Sequence, residues 1–176
     1  SFTPGAGFGK SGKEDSGTWN RLKKMDDQWY IRYANDEGLS FDLRLGLTAF
    51  KHVGVFPEQA PNWDYIYRKT KALSADGHKP RILNLFAYTG AASIAAKSAG
   101  ADVTHLDSVR QVVTWARGNM EKSGLDGIRW VVEDAMKFAA REERRGNRYD
   151  GIILDPPAYG HGTDGEKWKL DECIFG

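Results

Sequence analysis

Cysteine is almost missing from this 176-residue sequence, where Cys173 stands alone. That excludes an internal disulfide framework and a cysteine-rich zinc site, and a reducing, cytoplasmic compartment is expected. No apolar run approaches the ~18 residues of a membrane-spanning helix. A surplus of one charge sign is also lacking, since 25 Lys+Arg against 24 Asp+Glu leave a formal net charge of +1. Such a balance neither marks nor excludes a nucleic-acid partner, because a local basic patch can hide in it. There are no internal repeats. Two phosphate-binding signatures are absent: none of the strands of the strand–helix region is followed by G-x-G-x-x-G, and the full G-x-x-x-x-G-K-[S/T] loop does not occur. What is present, 40% hydrophobic and 28% charged residues, suits one globular domain with a real core.

Residues 1–18 are rich in Gly and Ser, nearly without apolar periodicity, and read as a flexible arm. Residues 19–79 read as an N-terminal hairpin-and-helix subdomain. "QWYIRYAND" (28–36) is rich in β-branched and aromatic residues, and "LSFDLRLG" (39–46) alternates apolar with polar. Joined at Asn35–Gly38, they predict a β-hairpin. A helix follows from Asn62, which is placed to cap it, and "GHKP" (77–80) ends it. From Pro80 the pattern becomes strand–helix alternation. Strands are predicted at 81–87, 102–107, 128–134 and 149–155, and helices at 91–99, 109–122 and 135–145. Right-handed βαβ units and a parallel sheet follow, with any ligand beyond the carboxyl ends of the strands.

Those ends hold the informative residues. The first strand runs into Ala87-Tyr88-Thr89-Gly90, a turn with one glycine that lets a ligand approach the backbone. It is shaped for a smaller group than a diphosphate. The second strand ends at Asp107, where a carboxylate can accept both hydroxyls of a ribose or, equally, cap the next helix; Ser108 could cap it too. The third ends at Glu133-Asp134, where Asp134 can accept from an adenine amino group or cap the helix at Ala135. The fourth opens into "DPPAYG" (155–160), whose prolines impose a rigid, extended exit. That exit leaves Asp155 at the cleft mouth and Tyr159 able to stack on a planar base.

Together these residues resemble the class I S-adenosylmethionine-dependent methyltransferases. "FAYTG" and "DPPAY" are more closely similar to the "FxYTG" and "DPPxF/Y" pair of the ribosomal-RNA large-subunit methyltransferase I group. "GVFPEQAPNW" (54–63) falls where that group has a cofactor-touching segment, with Ala60 in place of its Arg. The resemblance implies an α/β fold: a Rossmann-like class I methyltransferase sheet, preceded by an N-terminal β-hairpin. Residues 80–176 would be a partial S-adenosylmethionine-binding domain, truncated after the fourth core strand with an open apolar edge. It implies a cofactor site of Glu58, Gln59, Phe86, Ala87, Tyr88, Thr89, Gly90, Asp107, Ser108, Glu133, Asp134, Ala135 and Asp155. The donor's amino-acid end would lie over the turn, its ribose on Asp107 and its adenine near Asp134. Asp155, Pro156, Pro157 and Tyr159 are the catalytic candidates, Asp155 first among them, and no metal is called for.

An RNA acceptor, a ribosomal RNA base, is implied. In support, Lys10, Lys13, Arg21, Lys23 and Lys24 make the arm basic and interleave with Phe8 and Trp19, although a solvated tail is an equal reading. "HGTDGEKWK" (161–169) could close over a flipped-out base. Cys173 reads as incidental rather than nucleophilic. Two alternatives stay open: a nicotinamide-dependent oxidoreductase, and a non-catalytic RNA-binding or assembly module on the same fold.

Overall fold

The computed structural model describes residues 5–10, 17–48, 53–157, 159–161 and 167–169. The N-terminal hairpin pairs β3 (Gln28–Ala34) with β4 (Ser40–Gly46) in antiparallel register, Tyr33 opposite Phe41. Asn35 makes the turn. Its Oδ1 accepts the backbone N–H groups of Glu37 (3.0 Å) and Leu39 (2.9 Å), and Gly38 takes φ 93°. The apolar residues of β4 face inward, and Leu39, Phe41 and Leu43 are sealed from solvent.

Helix α1 (Ala60–Leu73) closes this hairpin against the rest. Trp63 packs edge-on to Phe41 (5.6 Å) and to Tyr33 (5.1 Å). Asp64 accepts from Tyr33 Oη (2.8 Å) and Asn35 Nδ2 (2.7 Å). The helix begins earlier than the predicted Asn62. Pro61, which needs no N–H partner, occupies its first turn, and Asn62 donates to Gln59 Oε1 (2.6 Å) instead of capping.

The remaining elements build one four-stranded parallel sheet in the order β7-β6-β5-β8. The strands are β5 (Arg81–Leu85), β6 (Asp102–Asp107), β7 (Arg129–Val132) and β8 (Gly151–Leu154). Helices α2 (Ala91–Ser98), α3 (Arg110–Lys122) and α4 (Ala135–Arg144) join them. Ile82 to Leu85 are all buried on β5, as a strand covered on both faces requires. The small residues of α2 let it lie close to α1, and Ile94, Ala95 and Ala96 have no exposed surface. Among the described residues β8 is an edge, with Ile152 62% and Leu154 49% exposed. This is the open apolar edge expected of four strands.

Two sequence expectations change. Residues 6–10 are not an unstructured arm: β1 (Ala6–Lys10) pairs with β2 (Gly17–Arg21). Phe8 lies opposite Trp19 with rings 5.1 Å apart, and the indole N–H donates to the Thr48 carbonyl (2.7 Å). Glycines 7 and 9 flank Phe8 and hide the strand from any periodicity count. These two aromatics pack edge-on against each other, and both are half-buried. The first sheet strand also stops at Leu85, because Phe86 leaves the extended region. Two short strands, β9 (Tyr159–His161) and β10 (Lys167–Lys169), pair after the diproline. Cys173 lies outside the described residues.

Phe41 joins the hairpin to α1, so Phe41→Ala should lower stability by ~3–5 kcal/mol in urea unfolding.

Candidate functional site

The turn from β5 to α2 is unusual in its backbone. Phe86 (φ 56°) and Tyr88 (φ 49°) are both left-handed, as is Gly90 (φ 90°). Bulky residues rarely hold this conformation, which costs ~1–3 kcal/mol each and persists only where the surroundings impose it. Here the surroundings do. Ala87 N–H donates to the Leu106 carbonyl (3.0 Å), and Tyr88 N–H to Asp107 Oδ2 (3.0 Å). Thr89 Oγ1 donates to the Gly54 carbonyl (2.7 Å), and Asn119 Nδ2 donates to the Thr89 carbonyl (2.9 Å). The Tyr88 ring lies 5.0 Å from Phe56. Burial pushes the Tyr88 phenol up.

Asp107 is therefore both a strand-end acid and a structural acceptor. Its Oδ1 takes the Val109 N–H (2.9 Å) and its Oδ2 the Tyr88 N–H. A carboxylate offers about four acceptor positions, so these backbone bonds leave it with capacity for a ligand. Burial pushes its carboxyl up, opposed by backbone N–H groups of Val109, Tyr88 and Ser108. Ser108 does not cap α3; Val109 holds the cap position without a side-chain bond.

At the third strand end, Asp134 caps α4, accepting the Lys137 N–H at 2.9 Å. Its rival role is thus the one observed. Glu133 makes a two-pronged pair with Arg141, and Ala135 is buried as the first residue of α4.

A cavity of about 590 Å³ opens between the turn, α1 and β8. Gln59, Phe86–Gly90 and Asp155 all line it, as do Ala91 and Ala92 at the start of α2. Asp107, Ser108, Glu133, Asp134 and Ala135 do not. They sit at the ends of β6 and β7, on the far side of β5 from β8. Glu58 is exposed beside Gln59 in a 3₁₀ turn at 57–59. Asp155 and Pro157 are exposed and Pro156 half-buried, while Tyr159 opens β9.

The sequence reading missed a buried polar row beneath the turn. Asn84 Nδ2 donates to Ser93 Oγ (2.9 Å), and Ser93 Oγ lies 3.0 Å from His105 Nδ1. The other ring nitrogen, Nε2, lies beside the Tyr88 backbone and completes no hydrogen bond. Burial lowers the His105 pKa to about 3, so the ring is neutral. A titratable residue in an apolar strand, "VTHLD", was the available signal. On α1, Trp63, Tyr65 and Lys69 also line the cavity, and nothing in their helical spacing separates that role from ordinary packing.

The parallel order β7-β6-β5-β8, with the ligand-facing turn after the central strand, is Rossmann-like, and likeness to solved structures makes it the class I S-adenosylmethionine-dependent methyltransferase fold. A crystal structure of an S-adenosylmethionine-dependent methyltransferase from Agrobacterium tumefaciens superposes with a TM-score of 0.84 at 40% identity, covering 97% of this chain and 52% of that one. The ribosomal RNA large subunit methyltransferase K/L of Magnetococcus marinus is 30% identical over 145 residues, 80% of this chain and 18% of the relative. Its Shewanella amazonensis counterpart is 32% identical over 154 residues, 85% of this chain and 20% of the relative. The chain thus spans about a fifth of the length of these curated relatives. Residues 65–167 match the family described as conserved hypothetical protein 95, and the chain belongs to that family.

Two measurements check the site's construction. A Cβ at Gly90 would sit 3.0 Å from Ala116 Cβ on a left-handed backbone, so Gly90→Ala should lose ~1–2 kcal/mol from conformation alone. His105 has a folded pKa below its ordinary 6.5, so the unfolded chain binds the extra proton. Its contribution is complete above pH 6.5 and falls as pH drops toward about 3, by at most ~1.4 kcal/mol per pH unit. His105→Asn should flatten the stability–pH slope between those limits; coincident slopes would contradict a buried neutral ring.

Proposed function

We propose that this chain is the donor-binding part of an S-adenosylmethionine-dependent methyltransferase that modifies RNA, with a ribosomal RNA base as acceptor, in the cytoplasm. The observation that carries the reading is the clamped turn at Phe86–Gly90. It shares one cavity with Asp155 on one side and leans on Asp107 on the other. The relatives' names supply the RNA acceptor. No helix among the described residues is long and apolar enough to cross a membrane, and no group of His, Cys, Asp or Glu among them could hold a metal.

The residues fit this donor. Gly90 begins α2 without a side-chain cap, and first-turn N–H groups have no partners within a helix, so they attract a carboxylate. Ala91 and Ala92 bring that end of α2 to the cavity wall, which suits the amino-acid end of the donor. Asp107 has acceptor capacity for ribose hydroxyls. Asp134 and Glu133 are engaged with α4, so adenine contact there would come from the backbone or from remaining carboxylate lone pairs.

Bound S-adenosylmethionine supplies a methyl group already activated by its sulfonium, so the protein's contribution is alignment and water exclusion. The turn orients the donor, and Gln59 and Phe56 wall the cavity beside it. Pro156 and Pro157 stiffen the exit of β8 so that Asp155 faces the acceptor at the cavity mouth. Asp155 would accept a hydrogen bond from the acceptor and fix its approach, with Tyr159 stacking on the base.

Calorimetry should detect S-adenosylhomocysteine and not NAD; the reverse result would favour the oxidoreductase reading. Asp107→Ala should weaken binding ~10–100-fold by removing charge-assisted bonds. Asp155→Ala should leave affinity within a few-fold and lower methyl transfer to total RNA. Donor binding without transfer by the wild-type chain would point to a binding module.

A further inference from the structure

Asn119 has no exposed surface and lies on the inward stripe of α3 beside Val113, Ala116 and Met120. An apolar residue would satisfy the packing of that stripe. Instead the amide is used at both ends. Its Oδ1 accepts the Arg44 N–H from β4 (2.8 Å), and its Nδ2 donates to the Thr89 carbonyl (2.9 Å). Thr89 lies between Tyr88 and Gly90, two left-handed residues. Its hydroxyl is held from the same side, by the Gly54 carbonyl at 2.7 Å. The indole of Trp115, one turn earlier on α3, donates to the Arg44 carbonyl (3.0 Å). Backbone from residues 44 and 54, outside the βαβ sheet, is thus bonded through side chains to the turn that would carry the donor.

We propose that Asn119 is a positioning residue for the methyl donor. It sets the Thr89 carbonyl, and with it the path of the Tyr88–Gly90 turn, against β4, so the N-terminal hairpin is part of the donor site. The inference rests on the donor reading above for its functional consequence, though not for its geometry. Few side chains can replace Asn119. Aspartate keeps the acceptor for Arg44 and loses the donor for Thr89, setting oxygen against oxygen. Alanine leaves both buried backbone groups without partners.

Ser123 provides an internal control. One turn further along, its hydroxyl oxygen accepts the Asp42 N–H of the same strand (2.9 Å), and its O–H donates to the Asn119 backbone carbonyl (2.7 Å). It latches α3 to β4 as Asn119 does, and no hydrogen bond joins it to the turn.

The test compares wild type with Asn119→Asp, Asn119→Ala and Ser123→Ala, each at a temperature where it is fully folded. Two readouts apply: S-adenosylhomocysteine affinity by calorimetry, and amide hydrogen exchange at Tyr88 and Gly90. Asn119→Asp should bind ~10-fold or more weakly, as expected for one lost buried hydrogen bond and an unsatisfied carbonyl, with faster exchange at both amides. Ser123→Ala should lose stability yet bind within about two-fold of wild type. If the buried carboxylate of Asn119→Asp prevents folding, Asn119→Ala carries the comparison alone under the same criteria. Wild-type affinity in Asn119→Asp, or an equal loss in Ser123→Ala, would overturn the proposal. Should wild type itself show no affinity, the donor reading fails. Exchange at Tyr88 then decides the clamp alone, and unchanged rates in Asn119→Asp would refute it.

Discussion

Two aromatic residues, Phe86 and Tyr88, hold backbone conformations that glycine adopts far more readily, and most of the surrounding architecture serves to keep them there. The strain is distributed over bonds from three directions. β6 supplies the Leu106 carbonyl and the Asp107 carboxylate. α3 supplies the Asn119 amide, and the segment before α1 supplies the Gly54 carbonyl. A loop held by one neighbour could relax toward extended geometry. Held from three elements, it keeps a fixed curvature, and a ligand meeting it need not pay for ordering it.

The sheet order β7-β6-β5-β8 puts this turn at its branching point. β5 is the central strand, and the chain proceeds first to one side of it and then crosses to the other. The acids of β6 and β7 therefore fall on one flank and the diproline exit of β8 on the other. In the proposed reading, this layout would separate the half that binds the donor's nucleoside from the half that presents the acceptor. The cavity lies on the second flank, roofed by α1. Asp107 joins the two halves because one of its oxygens already holds Tyr88.

Polar residues inside this core are placed in pairs or rows. Asn84, Ser93 and His105 form one row under the turn, and Asn119 with Ser123 forms another against the hairpin. All but the half-buried Ser123 are buried, and a buried polar group without a partner is destabilising. The bonds within these rows favour one arrangement of α2, α3 and β4. The hairpin that precedes the sheet is thereby locked in register with it.

Much of this could be read along the chain. Period-two alternation located β3 and β4, and apolar runs bounded by Gly90, Gly100, Gly124 and Gly146 located the parallel strands and helices. "FAYTG" and "DPPAY" marked the two strand ends that share the cavity. Less could be read where geometry depends on distant partners. Phe86 and Tyr88 carry no local sign of left-handed backbone, since their own side chains disfavour it. Asp134 could not be divided between capping and ligand roles until α4 was seen to use it. β1 escaped notice because its glycines break the alternation around Phe8. Local composition determined the elements, their parallel pairing and the residue types at the strand ends, because periodicity and turn chemistry act over a few neighbours. Only the tertiary structure decided which of those residues meet in one cavity and which polar atoms hold the turn, because hydrogen bonds such as Asn119 to Thr89 and Thr89 to Gly54 join positions 30 and 35 residues apart.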